Sequence, residues 1–98
     1  MRIHGFDWDK GNWPKCAKHG VTKNEIESLF DDDPNLYPDA KHSQDEIRYL
    51  AIGRTRRGRW MLVAFTLRQR KRKRLIRPIS ARYMKKKEIE HYEQEKES

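Results

Sequence analysis

The chain has 98 residues, which suits a single domain spanning residues 1–98. With 35% hydrophobic and 39% charged residues it can bury only a small core, which its aromatic side chains are best suited to fill. The net charge of +8 is uneven: residues 1–53 carry 7 Lys/Arg and 10 Asp/Glu, whereas residues 54–98 carry 16 and 5. A basic second half favours a polyanion-binding surface over a uniformly charged coat.

Cysteine content and hydropathy exclude two further classes. Cys16 is the only cysteine, so an internal disulfide is excluded and nothing indicates an oxidising compartment. The sequence has no apolar run of the roughly 18 residues that a membrane span requires, and its start lacks the apolar core of a signal peptide. We therefore expect a cytoplasmic protein without membrane contact.

The first elements are an extended segment and a short helix. Residues 1–9 alternate apolar and acidic side chains around Phe6 and Trp8, which predicts a short strand or an extended lead-in. Residues 10–19 predict a short helix, and Pro14 is tolerable there only in the first turn.

Capping residues define the boundaries of this helix and of the next. Asn12 is the expected N-cap of the first helix, and Gly20 fits the left-handed residue that ends it. Thr22 and Glu25 have the spacing of a capping box, in which each side chain accepts the other residue's backbone N–H. The second helix must end before Pro34.

The second half predicts a sheet. Residues 35–38 suit a short edge strand, and 46–54, 59–68 and 74–81 suit three strands of an antiparallel meander. The middle strand of the three is apolar on both faces and so should be central. Pro78 cannot donate to a ladder, which predicts an edge position or a bulge that shifts the register.

From Arg82 onward the residues favour helix, and residues 84–98 predict a charged C-terminal helix or tail with a thin apolar stripe. The predicted fold class is therefore α+β. A small twisted antiparallel sheet, a meander of three to four strands, should pack against two N-terminal helices and the C-terminal helix.

The basic stretch between residues 54 and 87 holds 15 Lys/Arg and no Asp or Glu, which indicates RNA binding. RNA carries its own nucleophile, the 2′-hydroxyl, so a protein can cleave it with arginines on the phosphate and a proton carrier. The four histidines are scattered without zinc-site spacing, so no metal or other cofactor is expected. Candidate phosphate ligands are Arg54, Arg59, Arg77 and Arg82, and candidate proton carriers are Lys18, His19 and Tyr83.

Five short motifs resemble, in order and spacing, the BrnT toxin family. The resemblance extends from about residue 6 to residue 93. Its motifs are Phe6-Asp7-Trp8-Asp9, Lys18-His19-Gly20-Val21, Phe30-Asp31-Asp32, Arg48-Tyr49-Leu50-Ala51-Ile52-Gly53-Arg54 and Ile79-Ser80-Ala81-Arg82.

This resemblance implies a ribonuclease toxin of a type II toxin–antitoxin system with a RelE-like fold. It also implies inhibition by a BrnA-type antitoxin with a ribbon-helix-helix part, and binding of operator DNA only through the antitoxin complex. The functional positions that it implies are the basic residues of the sheet and the motif Lys18-His19-Gly20.

The candidate residues follow from both arguments. His19 serves equally well as a catalytic group or a helix-end residue, and Lys18 can instead offset the helix dipole. The predicted catalytic set is Arg82, His19, Lys18, Arg77 and Arg54, and the predicted RNA-binding set is Arg59, Arg56, Arg57, Trp13 and Tyr83.

The leading hypothesis is a metal-independent endoribonuclease that cleaves mRNA and leaves 2′,3′-cyclic phosphate ends. Two alternatives stay open: a non-catalytic nucleic-acid-binding protein, and an inactive toxin relative that acts as a corepressor in its operon.

Overall fold

The structure is a computed structural model and describes residues 3–97. Strands and helices alternate irregularly along the chain, as expected for an α+β protein. In chain order the elements are β1 (Gly5–Phe6), α1 (Trp13–Ala17), α2 (Lys23–Asp31), β2 (Asn35–Pro38), a 3₁₀ turn (Ala40–His42), β3 (Tyr49–Arg54), β4 (Trp60–Arg70), β5 (Lys73–Tyr83) and α3 (Lys86–Glu97).

Within the described residues the strands form a five-stranded sheet in the order β1-β5-β4-β3-β2. The predicted antiparallel meander is confirmed in β3–β5, with β2 antiparallel at one edge and β4 central. The prediction of a purely antiparallel sheet of three to four strands is wrong, because Gly5 and Phe6 add a fifth strand that pairs in parallel with Leu75 and Ile76. The alternation around Phe6 predicts a short strand or lead-in here, but it does not predict pairing with residues 70 positions away.

Pro78 lies at a bulge in β5, as its missing N–H predicts. Ala64 pairs with Ser80 and Phe65 with Pro78, so Ile79 is the extra residue. The bulge shifts side-chain parity along β5, so that Ser80 shares a sheet face with Ala64.

The core lies between α2 and one face of the sheet. The capping box of Thr22 and Glu25 is confirmed and starts this helix. Leu29 is buried over Gly53, where a built Cβ would come within 2.9 Å of the leucine Cδ1. Phe30 meets Phe65 edge to face at 5.1 Å between ring centroids. Gly53 therefore permits the close approach of helix and sheet.

The first helix is shorter than predicted, and two unexpected hydrogen bonds hold its start. Asn12 is at its N-cap position, but its side chain makes no cap bond. Instead the Asn12 amide donates to the carbonyl of Asp7 at 2.9 Å and to that of Pro78 at 2.8 Å. Gly20 has φ +81°, as its predicted role in ending the helix requires.

The prediction of helix from Arg82 onward is wrong at its start, because β5 continues to Tyr83 and α3 begins at Lys86. The reason is that the ladder to β4 continues, with Arg82 opposite Leu62 and Tyr83 opposite Met61. The strand pairing outweighs local helical preference.

The aromatic residue Tyr92 packs helix α3 on the sheet face opposite α2. Tyr92 meets Trp60 at 5.7 Å between ring centroids, and its hydroxyl lies 2.9 Å from that of Tyr37. None of the helices in the described part of the chain is long and apolar enough to cross a membrane.

Candidate functional site

A cavity of about 440 Å³ opens on the sheet face opposite α2, and we call it the cleft. Its floor crosses three strands, because Leu50, Ala64 and Ser80 lie in register on β3, β4 and β5. These residues alternate with the buried core positions on the other face. The cleft is lined by Lys15, His19, Asp39, His42, Arg48, Leu50, Leu62, Ala64, Ile79, Ser80, Ala81 and Arg82.

The polar lining of the cleft is dominated by basic groups. Cationic side chains come from Lys15 on α1, Arg48 just before β3 and Arg82 on β5. Asp39 is the carboxylate that shares the cavity with them. An apolar floor beneath several cations focuses the field on a bound anion, so the cleft suits a phosphate group.

Arg82 is held by α3. Its two terminal nitrogens donate to the two carboxylate oxygens of Glu88, each at 2.7 Å. This hydrogen bonding raises the pKa of Arg82 and lowers the pKa of Glu88 to about 2. A guanidinium held in this fork presents the geometry that bidentate oxyanions require.

Of the two basic residues in the Lys-His-Gly motif, only His19 lines the cleft. His19 lines it and also lines an adjoining cavity with Arg82 and Tyr83. Lys18 is an exposed residue at the end of α1 and is not among the residues that line the cleft. Lys15, three residues earlier, supplies the α1 cation instead.

Arg77 lies outside the cleft and binds the N-terminal segment. Its guanidinium donates to both carboxylate oxygens of Asp9 at 3.0 Å and to Asp7 at 3.4 Å. The pair with Asp9 raises the pKa of Arg77 and lowers that of Asp9. The Arg77 side chain is only 15% exposed, and its ion pairs attach the segment that contains Asp7 and Asp9 to β5.

Two other predicted arginines stack on aromatic rings. The Arg54 guanidinium carbon lies 5.0 Å from the ring centroid of Trp60, and that of Arg59 lies 3.4 Å from the centroid of Tyr83. The Tyr83 hydroxyl donates to Glu25 at 2.6 Å. Burial and this bond raise the pKa of Tyr83. Neither Arg54 nor Arg59 lines the cleft.

The remaining RNA-binding candidates are dispersed. Arg56 and Arg57 are exposed on the turn after β3 and line a separate cavity of about 580 Å³ against α2. Trp13 packs edge to face on Trp8 at 5.3 Å, and the Lys23 ammonium lies 5.0 Å from its ring centroid. The structure therefore brings Arg82 and His19 together and places the other predicted arginines elsewhere.

Sequence reasoning missed Lys15, Asp39, His42 and Arg48 as site residues. Arg48 lies two residues before Leu50, just ahead of β3, so the two-residue period that puts both on one face was the signal that could have found it. Asp39 and His42 follow the edge strand in a polar turn, where no periodicity predicts orientation. Within residues 3–97, no group of three or more His, Cys, Asp or Glu side chains converges as a metal site would require.

Comparison with known protein families identifies the family of this chain. The family model described as "Ribonuclease toxin, BrnT, of type II toxin-antitoxin system" matches residues 8–88, a range that includes every residue lining the cleft and also Glu88. A search of curated proteins finds no match. The match confirms the resemblance seen in the sequence, and the chain belongs to the BrnT family of ribonuclease toxins of type II toxin–antitoxin systems.

Proposed function

We propose that this toxin is a metal-independent endoribonuclease that cleaves mRNA in the cleft and leaves 2′,3′-cyclic phosphate ends. The convergence of Arg48, Arg82 and His19 on one cavity is the observation that carries the proposal. Two arginines and a histidine line this cavity together, whereas the family description specifies only a ribonuclease toxin.

The chemistry needs no added nucleophile. The 2′-hydroxyl loses its proton to a base, its oxygen bonds to phosphorus, and the bond from phosphorus to the 5′-oxygen breaks. The 5′-oxygen leaves as an alcohol after it receives a proton. Arg48 and Arg82 stabilise the charge that grows on the phosphoryl oxygens, and His19 supplies one of the two proton transfers.

The pair of Arg82 with Glu88 supports phosphate binding at this position. A carboxylate and a phosphate present two oxygens to a guanidinium in similar geometry. Bound RNA would therefore replace Glu88 on Arg82, and α3 would move or release its first turn. Arg82 would be paired with Glu88 in the free protein and with phosphate in the RNA complex. Because its charge is never left unpaired, the exchange costs little free energy.

The other predicted residues take supporting roles. Arg59, Arg56 and Arg57 are exposed and suit contacts with RNA outside the cleft, where phosphate binding is independent of sequence. Tyr83 and Trp13 stay candidates for such contacts. Lys18 and Arg54, which were predicted as catalytic but do not line the cleft, join them. Arg77 has a positioning role, because its guanidinium already binds two carboxylates.

The partners follow from membership of a type II family, whose toxins have an antitoxin and act on RNA. We assign this toxin a BrnA-type ribbon-helix-helix antitoxin, with operator DNA bound only by the complex. The RelE-like fold stays a prediction.

Incubation of purified protein with RNA in EDTA tests the proposal. We expect cleavage with 2′,3′-cyclic phosphate ends, and loss of cleavage in Arg82→Ala. Arg72→Ala removes the same charge from the exposed turn between β4 and β5 and serves as the matched control. Intact RNA with a salt-sensitive gel shift would contradict catalysis and favour the non-catalytic binding protein.

A further inference from the structure

His42 and Asp39 form a hydrogen-bonded pair at the rim of the cleft. The His42 Nδ1 lies 3.0 Å from Asp39 Oδ2 and 3.1 Å from Oδ1. A carboxylate only accepts hydrogen bonds, so Nδ1 carries the hydrogen and the Nε2 lone pair of the neutral ring is available. This arrangement prepares an imidazole to accept a proton.

Asp39 is held firmly by its own backbone. Its N–H donates to the Arg48 carbonyl at 2.9 Å, which extends the pairing of β2 with β3 by one residue. Its carbonyl accepts the Ser43 hydroxyl at 2.7 Å, and the Ser43 oxygen in turn accepts the Arg48 N–H at 2.9 Å. The sheet therefore positions the carboxylate, and the carboxylate positions the imidazole.

Exposure within the pair is unequal. The Asp39 side chain is 12% exposed and that of His42 is 58% exposed. A surface pair that merely closes a turn would leave both groups in solvent, and such pairs contribute about 1 kcal/mol or less. The carboxylate here is largely buried, and His42 lines the cavity that Arg48, Arg82 and His19 also line, as well as a second cavity beside Glu46 and Arg68.

We infer that His42 is the general base of the cleavage reaction and that Asp39 is its positioning residue. This inference rests on the proposed function. His42 takes the proton of the 2′-hydroxyl on Nε2, and the oxygen so released attacks phosphorus. His19 gives a proton to the departing 5′-oxygen. After one turnover His42 has gained a proton and His19 has lost one. Exchange with solvent restores both imidazoles.

Arg48 connects this pair to the phosphate site. It lines the cleft together with His42, and its backbone accepts from Asp39 and donates to Ser43. A phosphate on Arg48 would therefore be held by the same residue whose backbone anchors the base. Such an arrangement ties the base and one phosphate ligand to the same point of the backbone.

The experiment compares His42→Ala and Asp39→Asn with the wild type on RNA in EDTA. The His42→Ala variant should lose about 10²- to 10⁴-fold in kcat, the usual contribution of a positioned base, and added imidazole should restore part of it. Asp39→Asn should lower kcat by less and leave KM unchanged. His91→Ala is the matched control, because His91 forms a comparable pair with Glu95 on α3, 3.0 Å apart.

A second substrate separates base from acid. RNA with a bridging 5′-sulfur at the scissile bond releases a thiolate, which needs no protonation to leave. We expect the His42→Ala defect to persist on this substrate and the His19→Ala defect to shrink. A His42→Ala defect that disappears with the thiolate leaving group would overturn the assignment of His42 as base.

The outcomes also separate this inference from the proposed function. Wild-type cleavage that is lost in Arg82→Ala but retained in His42→Ala removes His42 from catalysis and leaves the nuclease proposal intact. A wild-type protein that does not cleave RNA overturns both. A loss in His42→Ala without rescue by imidazole, accompanied by a lower melting temperature, shows a structural role and also overturns the inference.

Discussion

Arg82 and Glu88 are joined by two parallel hydrogen bonds of 2.7 Å, and this pair connects the candidate phosphate site to the start of α3. The same carboxylate accepts the N–H of Lys85 at 2.9 Å, so it also stabilises the first turn of the helix. One side chain thus couples the position of α3 to the availability of Arg82.

Replacing Glu88 by Gln should tighten RNA binding. The neutral amide competes less well than a carboxylate for Arg82, so phosphate gains access to the guanidinium. We expect a lower Kd for RNA and a loss of stability of about 1 kcal/mol or less, as for other half-exposed pairs. Fluorescence anisotropy and urea unfolding measure the two effects, with Glu93→Gln on the exposed side of α3 as the control. An unchanged Kd would contradict competition at Arg82.

The pair also predicts a pH dependence of stability. Arg82 lowers the pKa of Glu88 from 4.5 to about 2, so the folded state favours the ionised carboxylate. Its stabilisation is present above about pH 4.5 and is lost as the pH falls toward 2. Urea unfolding at several pH values should show wild type and Glu88→Gln converging in acid. A difference in unfolding free energy between the two proteins that stays constant down to about pH 2 would show that the Arg82–Glu88 pair is not its source.

Arg77→Ala should destabilise the protein more than Arg70→Ala. Both arginines bind Asp7, but the Arg77 side chain is 15% exposed whereas that of Arg70 is 61% exposed. Removing Arg77 also leaves Asp9 without its guanidinium partner, so the lead-in should detach from β5. Thermal unfolding compares the two variants. If the Arg77→Ala protein is as stable as wild type but no longer cleaves RNA, Arg77 has a catalytic role rather than a positioning one.

Gly53→Ala should cost about 1–3 kcal/mol, as overpacking of a core usually does. The new Cβ would lie 2.9 Å from Leu29 Cδ1 and 3.4 Å from the Pro34 Cβ. Leu29 is only 1% exposed and has little room to move. The double variant Leu29→Ala with Gly53→Ala should be less destabilised than the sum of the single variants. If the two losses of unfolding free energy are fully additive in the double variant, the Gly53→Ala strain does not arise from contact with Leu29.

Local signals in the sequence predicted much of the scaffold. The capping box at Thr22, the left-handed Gly20 and the doubly apolar β4 each depend on neighbours along the chain, and all three are confirmed. The bulge at Pro78 was predictable for the same reason, because a missing N–H disrupts a ladder wherever the strand lies. The parallel pairing of β1 was not, since it joins residues about 70 positions apart.

The sequence by itself determined the family, the basic second half and the presence of Arg82 and His19 as candidates, because residue types and their spacing carry that information. Only the tertiary structure decided which basic groups meet. The bulge places Ser80 opposite Ala64, and the two-residue period of the strand places Arg48 on the same face as Leu50. The turn after the edge strand then brings His42 to the cleft. Sequence spacing does not encode these distances, since they depend on the register between strands.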